Sequence, residues 1–323
     1  MSCLAEPSGC VGLAASSIQE RAEKLSWALA RLPLASDPEA AHDARVALRR
    51  LRAASVGFAD WLSRPQRWRR RLRRAEKDLG RLRDAEVRLE LLDDVLGPVA
   101  VSRDRSDDPR TAGSRGGPLV LGEGDRVRPG LRGLEMEARR ALADSTSAGI
   151  EAHRQRILAG GSLTNLQRLA LPPQLQEARS GVLPAALAEE QLPKLFKRAL
   201  RGATSEADLH RRRGEIRKLR YRLELFAPLL DPGHKTVLQE LRVLQGLLGR
   251  FHDLVVLAEW IQGSSRERRH ELRPALRRLT LRVELEQQVA REAAESELAR
   301  LDASGWWGAA QAACLGPGDH TPS

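Results

Sequence analysis

The chain has 323 residues, and its 54 Lys and Arg outnumber its 43 Asp and Glu, which gives a formal net charge of +11 and a pI near 10.5. A hydrophobic content of 41% is enough to bury a core and argues against wholesale disorder. Only 3% of the residues are aromatic and few are β-branched, which argues against a β sandwich or barrel, whereas abundant Leu, Ala, Arg and Glu favour helices. The positive charge predicts an anionic partner, such as nucleic acid, a membrane surface or another polyanion.

The sequence carries no sign of export or of a metal-binding framework. No apolar run approaches the ~18 residues that span a bilayer, and residues 1–19 lack a basic segment followed by an apolar one. The three cysteines, Cys3, Cys10 and Cys314, are odd in number and form no CxxC pair, which indicates neither a disulfide framework nor a zinc site. We therefore expect a cytoplasmic protein that binds neither a metal nor a cofactor.

In chain order, helical periodicity alternates with Gly- and Pro-rich breaks. Residues 1–16 are predicted to be a flexible tail, residues 98–130 a flexible insertion, and residues 302–323 a second flexible tail. Gly160-Gly161 and Pro172-Pro173 mark a further loop region. Helices are predicted over about 17–32, 37–61, 65–96, 131–159, 185–201, 206–230, 233–262 and 266–301, with Asp37 and Ser205 as N-caps. The pattern predicts one all-α domain, 17–301, whose halves are residues 17–160 and 183–301.

An internal repeat is the most informative feature of the chain. HDARVALRRLR at 42–52 aligns with HRRRGEIRKLR at 210–220 at an offset of 168 residues. LGRLRDAEV at 79–87 aligns with LGRFHDLVV at 248–256 at an offset of 169. Two motifs in the same order at nearly the same offset predict two similar helical halves, packed as a pseudo-twofold pair.

The first motif places a cationic stripe on one side of its helix. At ~100° per residue, the four side chains of His42, Arg45, Arg49 and Arg52 fall within an arc of about 80°, opposite the apolar Leu51 and Phe58. Like charges one turn apart repel, so the stripe is favourable only if an anion neutralises it, and the planar Arg fork suits phosphate oxygens. The second copy repeats the stripe with His210, Arg213, Arg217 and Arg220, while Arg50 and Lys218 lie on a flank.

The second motif supports this site. Arg83 and its counterpart His252 are within reach of the anion, and Asp84 and Asp253 are expected to orient basic side chains and to have a lowered affinity for protons. Gly80 and Gly249 are interpreted as points of close helix–helix approach, since Gly is unfavourable inside a helix. The basic runs 64–74 and 266–282 are candidates to widen a basic channel.

Together the segments 42–52, 79–87, 210–226 and 244–257 resemble the CHAD family, the conserved histidine α-helical domain. The resemblance implies two four-helix bundles with internal twofold similarity around a basic pore or groove that binds inorganic polyphosphate, in proteins associated with polyphosphate granules. It assigns ligand roles to the histidines and cations of the stripes and their flanks, namely His42, Arg45, Arg49, Arg50, Arg52, His210, Arg213, Arg217, Lys218 and Arg220.

Three functions remain open from the sequence. The leading one is non-enzymatic binding of polyphosphate. A nucleic-acid-binding protein is the main rival, although the stripes have no interleaved aromatic residues for base stacking. A metal-dependent phosphohydrolase is suggested by the dipeptides His42-Asp43 and His252-Asp253, but adjacent helical residues diverge by ~100° and no acidic cluster accompanies them.

Overall fold

The computed structural model describes residues 7–33, 37, 39–96, 129–159, 162–169, 184–200, 205–267 and 270–316. Across these ranges the regular structure is entirely helical, as the sequence predicted. The helices are α1 (Pro7–Arg31), α2 (Ala40–Gly57), α3 (Pro65–Leu96), α4 (Pro129–Leu158), α5 (Ser162–Leu169), α6 (Pro184–Leu200), α7 (Glu206–Phe226), α8 (His234–Glu267), α9 (Arg273–Ala303) and α10 (Trp306–Leu315). Short 3-10 turns occupy Ala59–Trp61, Ala227–Leu229 and His270–Leu272.

Consecutive long helices pack against each other within each half of the chain. In the first half α1 packs on α2, α2 on α3 and α3 on α4, and in the second half α6 packs on α7, α7 on α8 and α8 on α9. Leu and Ala make up most of the buried residues of α1, α2, α3 and α9, which is the pattern expected for helices that bury one stripe. None of the described helices is both long and apolar enough to cross a membrane.

The two halves meet where α2 packs against α7. Phe58 and Phe226, which are equivalent positions of the predicted repeat, are both fully buried and contact each other edge to face with ring centroids 5.8 Å apart. Close to this contact, Arg222 and Leu225 occupy the space that a Cβ on Gly57 would need. The apolar sides of the two motif helices therefore form the junction, which leaves their cationic sides for the surface or a cavity.

Several details differ from the sequence-based expectations. Gly80 and Gly249 are not points of close approach, because a Cβ added at either would meet nothing within 4 Å. Helix α5 lies in the predicted loop region after Gly160-Gly161. The predicted insertion 98–130 lies outside the described residues except for its last two, which begin α4.

The tails also differ from the prediction. Helix α1 begins at Pro7, so part of the expected N-terminal tail is helical. At the other end α10 packs on α6, α8 and α9. It is fixed by Trp307, which is 4% exposed and donates a hydrogen bond from Nε1 to Asp302 (2.8 Å). Asp302 also accepts two hydrogen bonds from the buried Arg212, at 2.6 and 3.0 Å. Residues 302–315 are therefore part of the fold.

Candidate functional site

Both cationic stripes reach one cavity of about 370 Å³. Helices α2 and α3 of the first half and α7 and α8 of the second half form its walls. Its charged and histidine lining is His42, Arg45, Arg49, Arg83, Asp84, Arg88, Arg213, Arg217, His252 and Asp253. Six arginines therefore face two aspartates, and we call this space the central cavity.

Each half of the chain contributes an ion pair at the corresponding position of the central cavity lining. Arg45 contacts Asp84 at 2.6 Å, and the corresponding Arg213 and Asp253 lie 3.7 Å apart. Each pair joins the first motif of one half to the second motif of the same half. The expectation that these aspartates orient basic side chains agrees with this geometry.

The lowered proton affinity expected for the aspartates is wrong for Asp253. Burial raises the pKa of its carboxyl group and outweighs the opposing effect of Arg213 and Arg45. Removal from water disfavours a charged group, and here this cost exceeds the attraction of nearby cations. Asp253 lies in the wall of the central cavity, where surrounding groups reduce its contact with bulk water, and helical periodicity alone does not reveal this.

Arg217 is a poorly compensated cation of the central cavity. None of the described carboxylates forms an ion pair with it, whereas Arg49 lies 3.4 Å from Glu76. Burial and the neighbouring Arg49 and Arg213 lower the pKa of Arg217 to about 10. Burial likewise lowers the pKa of Arg49 and of Arg213. Positive charge is thus concentrated where the two stripes come together.

The histidines are arranged differently in the two halves. His42 lines the central cavity, but His210 lines an adjoining cavity of about 390 Å³ together with Arg213 and His252. The Nδ1 atoms of His210 and His252 are 3.4 Å apart. Burial, with the added repulsion of Arg213 and His210, lowers the pKa of His252 to about 4. His252 is therefore neutral at physiological pH in the ligand-free protein.

A second basic cavity continues from the first past Arg49 and Arg217, which line both. This outer cavity has a volume of about 420 Å³ and lies between α2, α3, α6 and α7. Its other cationic lining residues are Arg52, Arg69, Arg73, Arg198, Lys218 and Arg222, and none of the described residues that line it is acidic. The basic run 64–74 thus contributes Arg69 and Arg73, as the sequence analysis considered.

Arg222 is the deepest cation of the outer cavity. It is 8% exposed and donates a hydrogen bond to the carbonyl oxygen of Ala53 at 2.7 Å. Burial, reinforced by Arg69, lowers its pKa to about 10. The sequence motifs did not predict Arg222, Arg198 and Arg88 as site residues. Arg88 follows Asp84 by one helical turn, a spacing that places both on one face of α3, but Arg198 and Arg222 carry no such signal.

Besides His210, two of the expected site residues, Arg50 and Arg220, line neither the central nor the outer cavity. Both lie near the Glu224 carboxylate, whose oxygens are 3.0 Å from Arg50 Nε and 3.9 Å from Arg220 Nε. The equivalent position in the first half is Val56, which cannot attract a cation. Arg52, the counterpart of Arg220, instead pairs with Glu76 at 2.7 Å and lines the outer cavity.

Comparison with known proteins identifies the family. The CHAD domain family matches residues 18–262, which is most of the chain. Among solved structures, the CHAD domain from the plant Ricinus communis is similar at a TM-score of 0.62 with 21% identity, and the match covers 90% of this chain and 91% of that one. PptA from Streptomyces chartreusis is similar at a TM-score of 0.58 with 18% identity, covering 89% and 98% of the two chains. No curated protein sequence matches. With the family's matched region spanning both repeats and all four walls of the central cavity, the chain belongs to the CHAD domain family.

Proposed function

We propose that this protein binds inorganic polyphosphate in the central and outer cavities and does not cleave it. The observation that carries the proposal is the pair Arg49 and Arg217, which belong to different halves of the chain and line both cavities. The two basic linings therefore form one path. A linear anion that enters the central cavity and passes these two arginines meets cationic side chains on both sides of them.

The donors suit a chain of phosphates. Each guanidinium offers a planar fork of N–H groups that fits phosphate oxygens, and successive turns of α2 and α7 present them at ~5.4 Å intervals. Burial and then the repulsion of Arg49 and Arg213 lower the pKa of Arg217, and an anion between the halves would offset both effects. The site is thus arranged around a negative charge that the described side chains supply only in part.

The nucleic-acid alternative is supported less well by the lining of the cavities. Single-stranded nucleic acids bind where bases stack on aromatic side chains. The described lining of the central cavity contains no Phe, Tyr or Trp, and that of the outer cavity contains only Tyr221. Tyr221 is itself buried, and the Arg220 guanidinium lies 4.8 Å from the centre of its ring.

The absence of catalysis is part of the proposal. Among the described residues, no group of three or more His, Cys, Asp and Glu is placed to hold a metal ion. Phosphate release from polyphosphate, measured with and without Mg²⁺ or Mn²⁺, tests this directly. We expect no turnover. Metal-dependent release that is lost in His42→Ala would instead make the protein a phosphohydrolase.

The binding experiment uses charge reversal. In Arg49→Glu/Arg217→Glu, both arginines shared by the two cavities become acidic, and we expect binding of long-chain polyphosphate to be abolished while helicity is retained. Arg132→Glu/Arg140→Glu makes the same change in net charge at two exposed positions of α4 and should bind nearly normally. If both variants bind equally well, the cavities are not the site.

A competition experiment separates the two polyanions. DNA or RNA at equal phosphate concentration should fail to displace polyphosphate from the wild-type protein. Displacement at equal phosphate concentration would favour the nucleic-acid alternative. If polyphosphate is the ligand, association with polyphosphate granules in cells follows, and the Arg49→Glu/Arg217→Glu variant should be dispersed.

A further inference from the structure

An exposed apolar stripe runs along α9, away from the basic cavities. Leu281, Leu285 and Val289 are 59%, 56% and 51% exposed. Their spacing of four residues places them in one row on the helix surface, and the row is ~12 Å long at 1.5 Å per residue. Isolated exposed hydrophobic residues are ordinary on a protein surface, but a contiguous row on one helix is typical of an interaction surface.

The other sides of α9 are already occupied. Its buried residues, among them Leu276, Leu279, Val283 and Leu298, belong to the core, and α9 packs on α8, α4 and α3. The row therefore lies on the side that the described part of the chain leaves uncovered. An amphipathic helix with an apolar core face would ordinarily present polar residues there. The three apolar side chains at the centre depart from that pattern.

The distribution of charged residues along α9 indicates which kind of partner would cover the apolar row of Leu281, Leu285 and Val289. The residues before Leu281 are basic, with Arg273 and Arg277 exposed, whereas the charged residues after it are mainly acidic, with Glu284 and Glu292 exposed. A second α9 laid antiparallel brings the basic end of one helix beside the acidic end of the other. A parallel arrangement would place like charges together, which is unfavourable.

The same antiparallel arrangement matches the apolar row to itself. With Leu285 on the twofold axis, Leu281 of one copy lies beside Val289 of the other. Arg277 precedes Leu285 by eight residues and Glu292 follows it by seven, so these two charges fall within ~1.5 Å of the same level along the paired helices. A surface that is complementary to itself in this way is what an isologous twofold dimer requires.

We propose that the protein forms a homodimer through antiparallel packing of α9 against α9 of a second copy, centred on Leu285. The contact uses neither basic cavity, and it is independent of polyphosphate binding. Both copies would keep their cavities open. The dimer would form in high salt without any polyanion, since burial of apolar surface holds its centre together.

Sedimentation velocity over a range of concentrations in high salt tests the proposal. We expect a concentration-dependent dimer for the wild type and a monomer for Leu285→Arg. Val243→Arg is the matched control, because Val243 on α8 is also half exposed, at 52%, and lies outside the row, so this variant should still dimerise. A wild-type monomer at every concentration, or a dimer that survives Leu285→Arg, would overturn the proposal.

A charge exchange tests the antiparallel orientation at lower salt. Arg277→Glu alone places two acidic residues at each end of the contact and should weaken the dimer at least tenfold. Glu292→Arg alone should weaken it similarly, and the double variant Arg277→Glu/Glu292→Arg should recover wild-type association. A double variant weaker than both single variants would overturn the antiparallel arrangement.

Discussion

Arg217→Met should make the ligand-free protein more stable and its polyphosphate binding weaker. Burial and the repulsion of Arg49 and Arg213 hold the pKa of Arg217 at about 10, against an ordinary value of 12.5. Since one pKa unit corresponds to 1.36 kcal/mol, the charged side chain opposes folding by at most about 3 kcal/mol. The side chain retains some contact with solvent, and a net effect of about 1–2 kcal/mol is expected after screening.

Methionine keeps the apolar stem of the side chain and removes the charge. A gain of about 1–2 kcal/mol raises the Tm of a domain of this size by a few degrees, which thermal unfolding followed by circular dichroism resolves. Loss of a charge-assisted hydrogen bond, worth about 1.5–3 kcal/mol, weakens binding by about 10- to 100-fold, which titration calorimetry with long-chain polyphosphate measures.

Arg212→Met is the matched control on the same helix. Arg212 is 1% exposed and, unlike Arg217, is fully paired, with hydrogen bonds to Asp302 and to the carbonyl oxygen of Ala199. Removing it should destabilise the fold by about 3 kcal/mol and leave the cavities intact. Equal destabilisation by both substitutions would refute the view that Arg217 carries uncompensated charge, and unchanged binding by Arg217→Met would remove it from the site.

Three further predictions follow from the same contacts. His252 has a pKa of about 4 in the free protein, and a bound anion is expected to raise it. Binding should therefore take up a proton, and the affinity should increase as the pH falls from ~7 to ~5. His252→Gln should flatten this dependence when the affinity is measured as a function of pH. Gly57→Ala should destabilise the protein by about 1–3 kcal/mol in denaturant unfolding, because the added methyl group would overlap the side chains of Arg222 and Leu225. An unchanged denaturant midpoint would mean that these side chains move aside without cost. Trp307→Ala should lower the free energy of unfolding by about 3–5 kcal/mol in the same assay, because Trp307 is buried and donates a hydrogen bond to Asp302. If residues 302–315 were a flexible tail, the free energy of unfolding would not change.

Helical periodicity predicted the composition of the central cavity well. The positions of Arg45, Arg49, Arg213 and Arg217 follow from the 100° step per residue, because each must lie opposite an apolar face that packs in the core. The predicted repeat added the expectation that the two halves contribute alike, which the histidines do not follow, because His42 and His210 line different cavities. The second motif then supplied His252 and the two aspartates, which lie on the helices that follow in each half.

The remaining site residues depend on tertiary contacts that periodicity does not encode. Arg52 and Arg220 occupy equivalent positions in the repeat, yet Arg52 pairs with Glu76 across on α3, whereas Arg220 lies 3.9 Å from Glu224 on the next turn of its own helix. Arg222 enters the site only because α7 crosses α2 at Gly57. Likewise, Arg212 sits in a basic run that reads as surface, and its burial depends on Asp302 and Trp307 far along the chain.

The junction of α2 and α7 explains how a site with so much uncompensated charge can exist in a folded protein. Phe58 and Phe226 bury their rings against each other on the apolar sides of the two helices, and each such burial contributes about 1.5–3 kcal/mol. That gain is comparable in size to the cost of the charge on Arg217, so the junction can hold Arg49 and Arg217 in place against their repulsion. The donors are then positioned before an anion arrives, and little ordering is lost on binding. If polyphosphate binds the folded cavities more tightly than the unfolded chain, as the proposed function requires, it should raise the unfolding temperature by more for the wild type than for Arg217→Met.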